Sequence, residues 1–169
     1  YRIGIRYAPL NTDVRPADYG FTVLRTYEPV DNGEDVRRND DGSWTVRSGA
    51  RIRVRITLIA PANRYHIALV DRIPAGFEIL NPDLAVTEAL PGQRPGGGNG
   101  RSLLWPDHQN LRDDRAEAFS AVLTGGVYEY SYVVRSTTPG RFIAPPVKVE
   151  EMYHPETFGR SGAEVVSIQ

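Results

Sequence analysis

Cysteine is absent from the 169 residues. That excludes a disulfide scaffold, a cysteine-ligated zinc or iron–sulfur site, and any thiol or thioester chemistry carried by this chain itself. At this length folding removes roughly 70% of the extended chain's surface from water, so a full core needs neither disulfides nor a structural metal. Lysine is nearly absent too, with Lys148 standing alone beside nineteen arginines. Twenty basic against twenty-one acidic residues leave a formal net charge of −1, which argues against a broad nucleic-acid or anionic-membrane surface. No run approaches the ~20 apolar residues of a membrane span. Neither a nucleic-acid partner nor direct membrane insertion is expected of this chain. It opens on Tyr1-Arg2-Ile3, with neither an initiator methionine nor a signal peptide. The expectation is a single domain, residues 1–169, excised from something longer.

What is present is punctuation and alternation. Sixteen glycines and thirteen prolines separate short runs in which apolar and polar residues alternate, the pattern of sheets with one face in a core. Ala50, Ile52, Val54, Ile56 and Leu58 point one way on a strand, and Arg51, Arg53, Arg55 and Thr57 the other. Ile3, Ile5 and Tyr7 repeat the pattern early, and Tyr128, Tyr130, Tyr132 and Val134 repeat it late. Further strands are predicted near 20–27, 65–73, 77–80, 147–152 and 163–168. Asp41-Gly42 predicts a tight hairpin turn and Pro139-Gly140 a type II turn. Many strands with almost no helical periodicity predict an all-β antiparallel sandwich, and the length beyond ~100 residues places long insertions in its connections, at 9–19, 28–43 and 81–112. Residues 91–101 are too rich in glycine to bury much surface and predict a mobile loop. Asp113 to Leu123 reads equally as a capped helix or a strand.

Residues with chemical potential are scattered. His66, His108 and His154 share no short metal-ligand spacing, and His66, alternating with Ala68 and Val70, reads as a packed or edge histidine. The acidic runs 31–35 and 39–42 lack a calcium loop's twelve-residue frame. No nucleophile elbow, phosphate loop or dinucleotide fingerprint is present, and Asp113-Asp114 and Glu150-Glu151 are adjacent pairs whose members face opposite ways on a strand. The expectation is a non-enzymatic chain without cofactor or metal. The arginine row 51, 53, 55 reads as a solvated strand face paired with cross-strand carboxylates. The tyrosine row 128, 130, 132 could stack on sugars, but its regular alternation favours a core face.

Several runs carry a resemblance. They are Leu69-Val70-Asp71-Arg72-Ile73-Pro74-Ala75-Gly76-Phe77-Glu78, Trp105 with His108, Leu111 to Arg115, Tyr128 to Phe142, and Glu150-Glu151-Met152-Tyr153-His154-Pro155-Glu156 followed by Phe158-Gly159-Arg160-Ser161. In this order, over about residues 65 to 168, they resemble the C-terminal macroglobulin-like domain of bacterial alpha-2-macroglobulins. The last run is the most specific.

The resemblance implies a macroglobulin-like, fibronectin-III-like β-sandwich within a periplasmic protease trap, often lipid-anchored to the inner membrane. In that family a cut in a bait region lets an internal cysteine–glutamine thioester of another domain couple to the attacking protease. This chain would pack on the thioester domain and other macroglobulin-like domains of its parent, meet target proteases only through that parent, and help keep the thioester dry. Met152, Tyr153 and His154 are then the expected thioester-shielding contact, held by Pro155 where a strand ends at a His-Pro turn. Read from the residues alone, a single methionine fills a core. The resemblance also makes Arg115 to Leu123 a strand. Vertebrate relatives use paired lysines for receptor binding, and Lys148 alone predicts no such receptor. Two other classes share the sandwich: a surface adhesin or cell-wall repeat, whose isopeptide bond could use only Lys148, and a carbohydrate-binding module, whose platform would need Trp44 or Trp105.

Overall fold

The computed structural model describes residue 4, residues 14–81 and residues 105–169. Among them run fourteen strands: β1 (Ala17–Tyr19), β2 (Thr22–Pro29), β3 (Val36–Arg38), β4 (Trp44–Val46), β5 (Arg51–Ala60), β6 (Arg64–Arg72), β7 (Phe77–Ile79), β8 (His108–Leu111), β9 (Arg115–Leu123), β10 (Gly126–Ser136), β11 (Gly140–Ala144), β12 (Lys148–Glu151), β13 (His154–Arg160) and β14 (Glu164–Ile168). They form a six-stranded sheet in the order β1-β13-β12-β6-β9-β8 and two four-stranded sheets, β2-β5-β10-β7 and β11-β14-β4-β3. Pairing is antiparallel throughout except for β14 beside β4. Apart from Gly4, the expected strand over Ile3 to Tyr7 lies outside the described residues, as does the glycine-rich stretch 91–101.

Alternation explains the strands at the centre. Ile52, Val54, Ile56 and Leu58 of β5 are buried on one face, and each such side chain stabilises the fold by about 1.5–3 kcal/mol relative to exposure. Tyr128, Tyr130 and Tyr132 pair with Leu58, Ile56 and Val54 and are buried with them, so the tyrosine row is core and offers no sugar platform. Trp44 and Trp105 are buried in the same core. On the outer face of β5, Arg55 bonds Glu28 of β2 at 2.8 Å and Glu129 of β10 at 3.0 Å, and Arg51 bonds Asp31 at 2.6 Å. The arginine row is thus a paired, half-solvated surface.

The segment 115–123 is the strand β9, burying Ala116, Ala118, Ser120 and Leu123. The stretches expected as plain connections contain short elements of their own: β1, a single 3-10 turn at Gly33–Asp35 with β3, and β8. Asp41-Gly42 does sit in the β3–β4 hairpin, where Gly42 takes φ +81° and the Asp41 carboxylate accepts from the Ser43 N–H at 2.9 Å. Its loop is five residues long, wider than the tight turn expected. Gly159 lets β13 lie directly on β2's approach, because a Cβ there would stand 2.1 Å from the Phe21 carbonyl oxygen.

One group of polar side chains is enclosed where the three sheets meet. Arg25 of β2 points into the core and donates to Asp71 of β6 at 2.7 Å, Glu164 of β14 at 3.1 Å and the Ala144 carbonyl of β11 at 3.4 Å. The Tyr132 hydroxyl donates to the other Asp71 oxygen at 2.7 Å, and the Trp44 indole N–H donates to Glu164 at 3.0 Å. Each sheet contributes to this network, which fixes their relative placement as apolar contacts alone would not.

Candidate functional site

The end of the six-stranded sheet where β6 begins and β12 ends carries the residues singled out in the sequence. β12 and β13 form a hairpin closed by the pair Glu151↔His154, so Met152 and Tyr153 are its two-residue apex. The turn is therefore Met152-Tyr153. His154 and Pro155 are the first two residues of the next strand, which corrects the expected His-Pro turn. Residues 154–160 show no alternation, and a proline argues against a strand interior. The strand tolerates Pro155 because the β12–β13 register shifts between Glu150 and Glu151, leaving the residues just after His154 out of the ladder.

Met152 is not a core residue. It is 46% exposed and Tyr153 is 73% exposed. The methionine's backbone is fixed nonetheless, since its N–H donates to the His66 carbonyl at 2.8 Å. This bond carries the β6–β12 ladder one step past Glu151↔Ile67. Glu151 is buried at the root of the apex and its Oε1 accepts from the Tyr65 N–H at 2.9 Å. The Tyr153 and His66 rings are perpendicular, centroids 5.0 Å apart at 87°. Two further exposed apolar side chains, Tyr65 and Val122, face each other across β6 and β9 beside this cluster. The rim thus holds a thioether, two phenol rings and an aliphatic side chain toward solvent on a backbone held by ladder bonds.

His154 behaves differently. Its Nδ1 lies 3.5 Å from Glu156 Oε1, both side chains well exposed, so the histidine neighbours a carboxylate on its own strand. Sequence reasoning missed His66, Tyr65 and Glu151 as parts of this rim. His66 is neither packed nor on an edge strand: it is exposed in β6, between β12 and β9, at φ +53°. The four-residue apolar run after it, Ile67 to Val70, gave no clean alternation. The one available signal was the residue type, since histidine is among the few non-glycine residues enriched at positive φ.

Other candidates disperse. Lys148 pairs with Glu150 on the surface and lies 5.9 Å from the Phe158 ring centre, far from the buried setting a lysine isopeptide requires. Among the described residues no three His, Cys, Asp or Glu side chains converge to hold a metal.

Comparison with known proteins adds a family. A family model described as the bacterial alpha-2-macroglobulin MG10 domain matches residues 20–156. The circularly permutated Ras protein 2 of Dictyostelium discoideum is 30% identical over 169 residues, covering 99% of this chain and 4% of that protein. An alpha-2-macroglobulin of Xylella fastidiosa is 29% identical over 168 residues, covering 92% of this chain and 10% of its own length. The chain therefore spans a small part of these relatives. Among solved structures, the native conformation of Escherichia coli alpha-2-macroglobulin matches with a TM-score of 0.71 and 26% identity, over 97% of this chain and 10% of that one.

Proposed function

The chain belongs to the bacterial alpha-2-macroglobulin MG10 domain family, and from that premise we propose that it is a non-catalytic packing module whose β12–β13 apex covers a thioester carried by another domain of its parent. The carrying observation is that Met152 and Tyr153 form an exposed two-residue apex on a backbone tied to β6. An activated acyl group lasts only where water and amines are kept out, and apolar and aromatic side chains exclude them best. Methionine's flexible thioether fills irregular gaps at such a contact. Tyr65 and Val122, paired across β6 and β9, add exposed apolar surface at the same end of the sheet. The chain has no cysteine, so it cannot supply the thioester itself. The parent's place in this reading is the periplasm, lipid-anchored to the inner membrane, where target proteases meet it through other domains.

A photo-crosslinking amino acid at position 153 of the full-length parent tests the contact. The expected result is crosslinking to the thioester domain in the native protein, lost once a protease has been trapped. Crosslinking only to solvent, or to the same partner before and after trapping, contradicts the proposal.

A further inference from the structure

His66 is the one non-glycine residue at positive φ among the described residues; Gly20, Gly42, Gly49 and Gly140 are the others. A left-handed conformation is strained for a side-chain-bearing residue and persists only where its surroundings over-determine it. Burial does not supply the reason, since His66 is exposed. Nor does the sheet: the β6–β9 register runs Arg64↔Leu123, Tyr65↔Val122 and resumes at Ile67↔Ser120, passing over His66. What the left-handed turn does accomplish is twofold. It accompanies a carbonyl presented to the Met152 N–H at 2.8 Å, and it sets the imidazole perpendicular to the Tyr153 ring with centroids 5.0 Å apart.

We infer that His66 is a positioning residue for the apex, holding Met152 through its carbonyl and Tyr153 through its ring. This rests on the reading of the apex as a cover and says how an exposed two-residue turn keeps one orientation. A tyrosine at the tip of a hairpin samples several rotamers. Against an upright neighbouring ring it keeps one, and an edge-to-face pair is worth about 0.5–1.5 kcal/mol beyond area burial.

Two measurements test it. In the 169-residue chain, the His66 ring protons should carry a ring-current displacement from the Tyr153 ring, and Tyr153→Leu should abolish it. In the full-length parent, His66→Asn retains a residue tolerant of positive φ but removes the ring, and methylamine incorporation should then quicken about two- to tenfold, the pair energy converted to a rate. An undisplaced His66 spectrum overturns the inference without any variant. A wild-type rate in His66→Asn overturns it too where Met152→Asp still quickens the reaction. Wild-type rates in both variants overturn the cover reading beneath it.

Discussion

Arg25 on β2 and Asp71 on β6 meet at 2.7 Å with their side chains 1% and 0% exposed, joining two sheets through a charge pair sealed from water. Removing Arg25 strands Asp71, and an uncompensated buried charge typically costs about 3–5 kcal/mol, whereas removing Asp71 leaves Arg25 its Glu164 partner at 3.1 Å. Asp71→Ala and Arg25→Met should each lower the unfolding free energy obtained from urea titration, Arg25→Met by an amount in that range and Asp71→Ala by less. The double replacement Arg25→Met with Asp71→Leu should cost clearly less than the sum of the two. Single variants within about 0.5 kcal/mol of wild type, the ordinary range for surface changes, contradict the network's role.

Tyr130 and Tyr132 are neighbours on one face of β10 with opposite predicted responses. The Tyr130 hydroxyl is buried without a partner, whereas the Tyr132 hydroxyl donates to Asp71 at 2.7 Å. Leaving a buried polar group unpaired costs about 1–3 kcal/mol, and a bond to a charged group contributes about 1.5–3. Tyr130→Phe should be neutral to modestly stabilising and Tyr132→Phe clearly destabilising in chemical denaturation. Equal effects would show that the hydroxyls do not matter.

Alkaline pH should unfold the chain through its tyrosines. Burial, foremost, pushes the phenols of Tyr27, Tyr130 and Tyr132 above the ordinary value. The folded state therefore holds these protons more tightly than the unfolded state does. Their stabilisation is complete below the unfolded value of about 10 and is lost as pH rises above it, at roughly 1.4 kcal/mol per pH unit for each phenol. Tyrosinate absorbance should show these three groups ionising together with the loss of the β-sheet circular dichroism signal. Their ionisation in a still folded chain contradicts the account.

The strands of the core were legible because burial writes itself into alternation: β5 shows period two over its whole length, and β10 shows it from Val127 to Tyr132. Arg25 shows how a buried charge hides in that pattern, since its site on β2, between buried Val23 and Tyr27, looks polar until Asp71 and Glu164 arrive from distant segments. β13 was illegible for a local reason, as His154-Pro155 begins a strand whose first residues bulge from the ladder. At the rim, Met152 and Tyr153 were legible only through the resemblance, and His66 escaped altogether. Its backbone conformation answers to a bond with a residue 86 positions later, which no local pattern encodes.

The central claim is that the apex excludes nucleophiles from a bond held elsewhere in the parent. When an amine attacks the thioester, a C–N bond forms, the C–S bond breaks and a thiol is released, so the reaction can be followed by the free thiol. Met152→Asp places a charge on a half-exposed turn, where domain stability should change by no more than about 0.5 kcal/mol. The account predicts that methylamine releases this thiol faster from the full-length Met152→Asp variant than from wild type, with unfolding temperature unchanged. An unchanged release rate in the folded variant contradicts it.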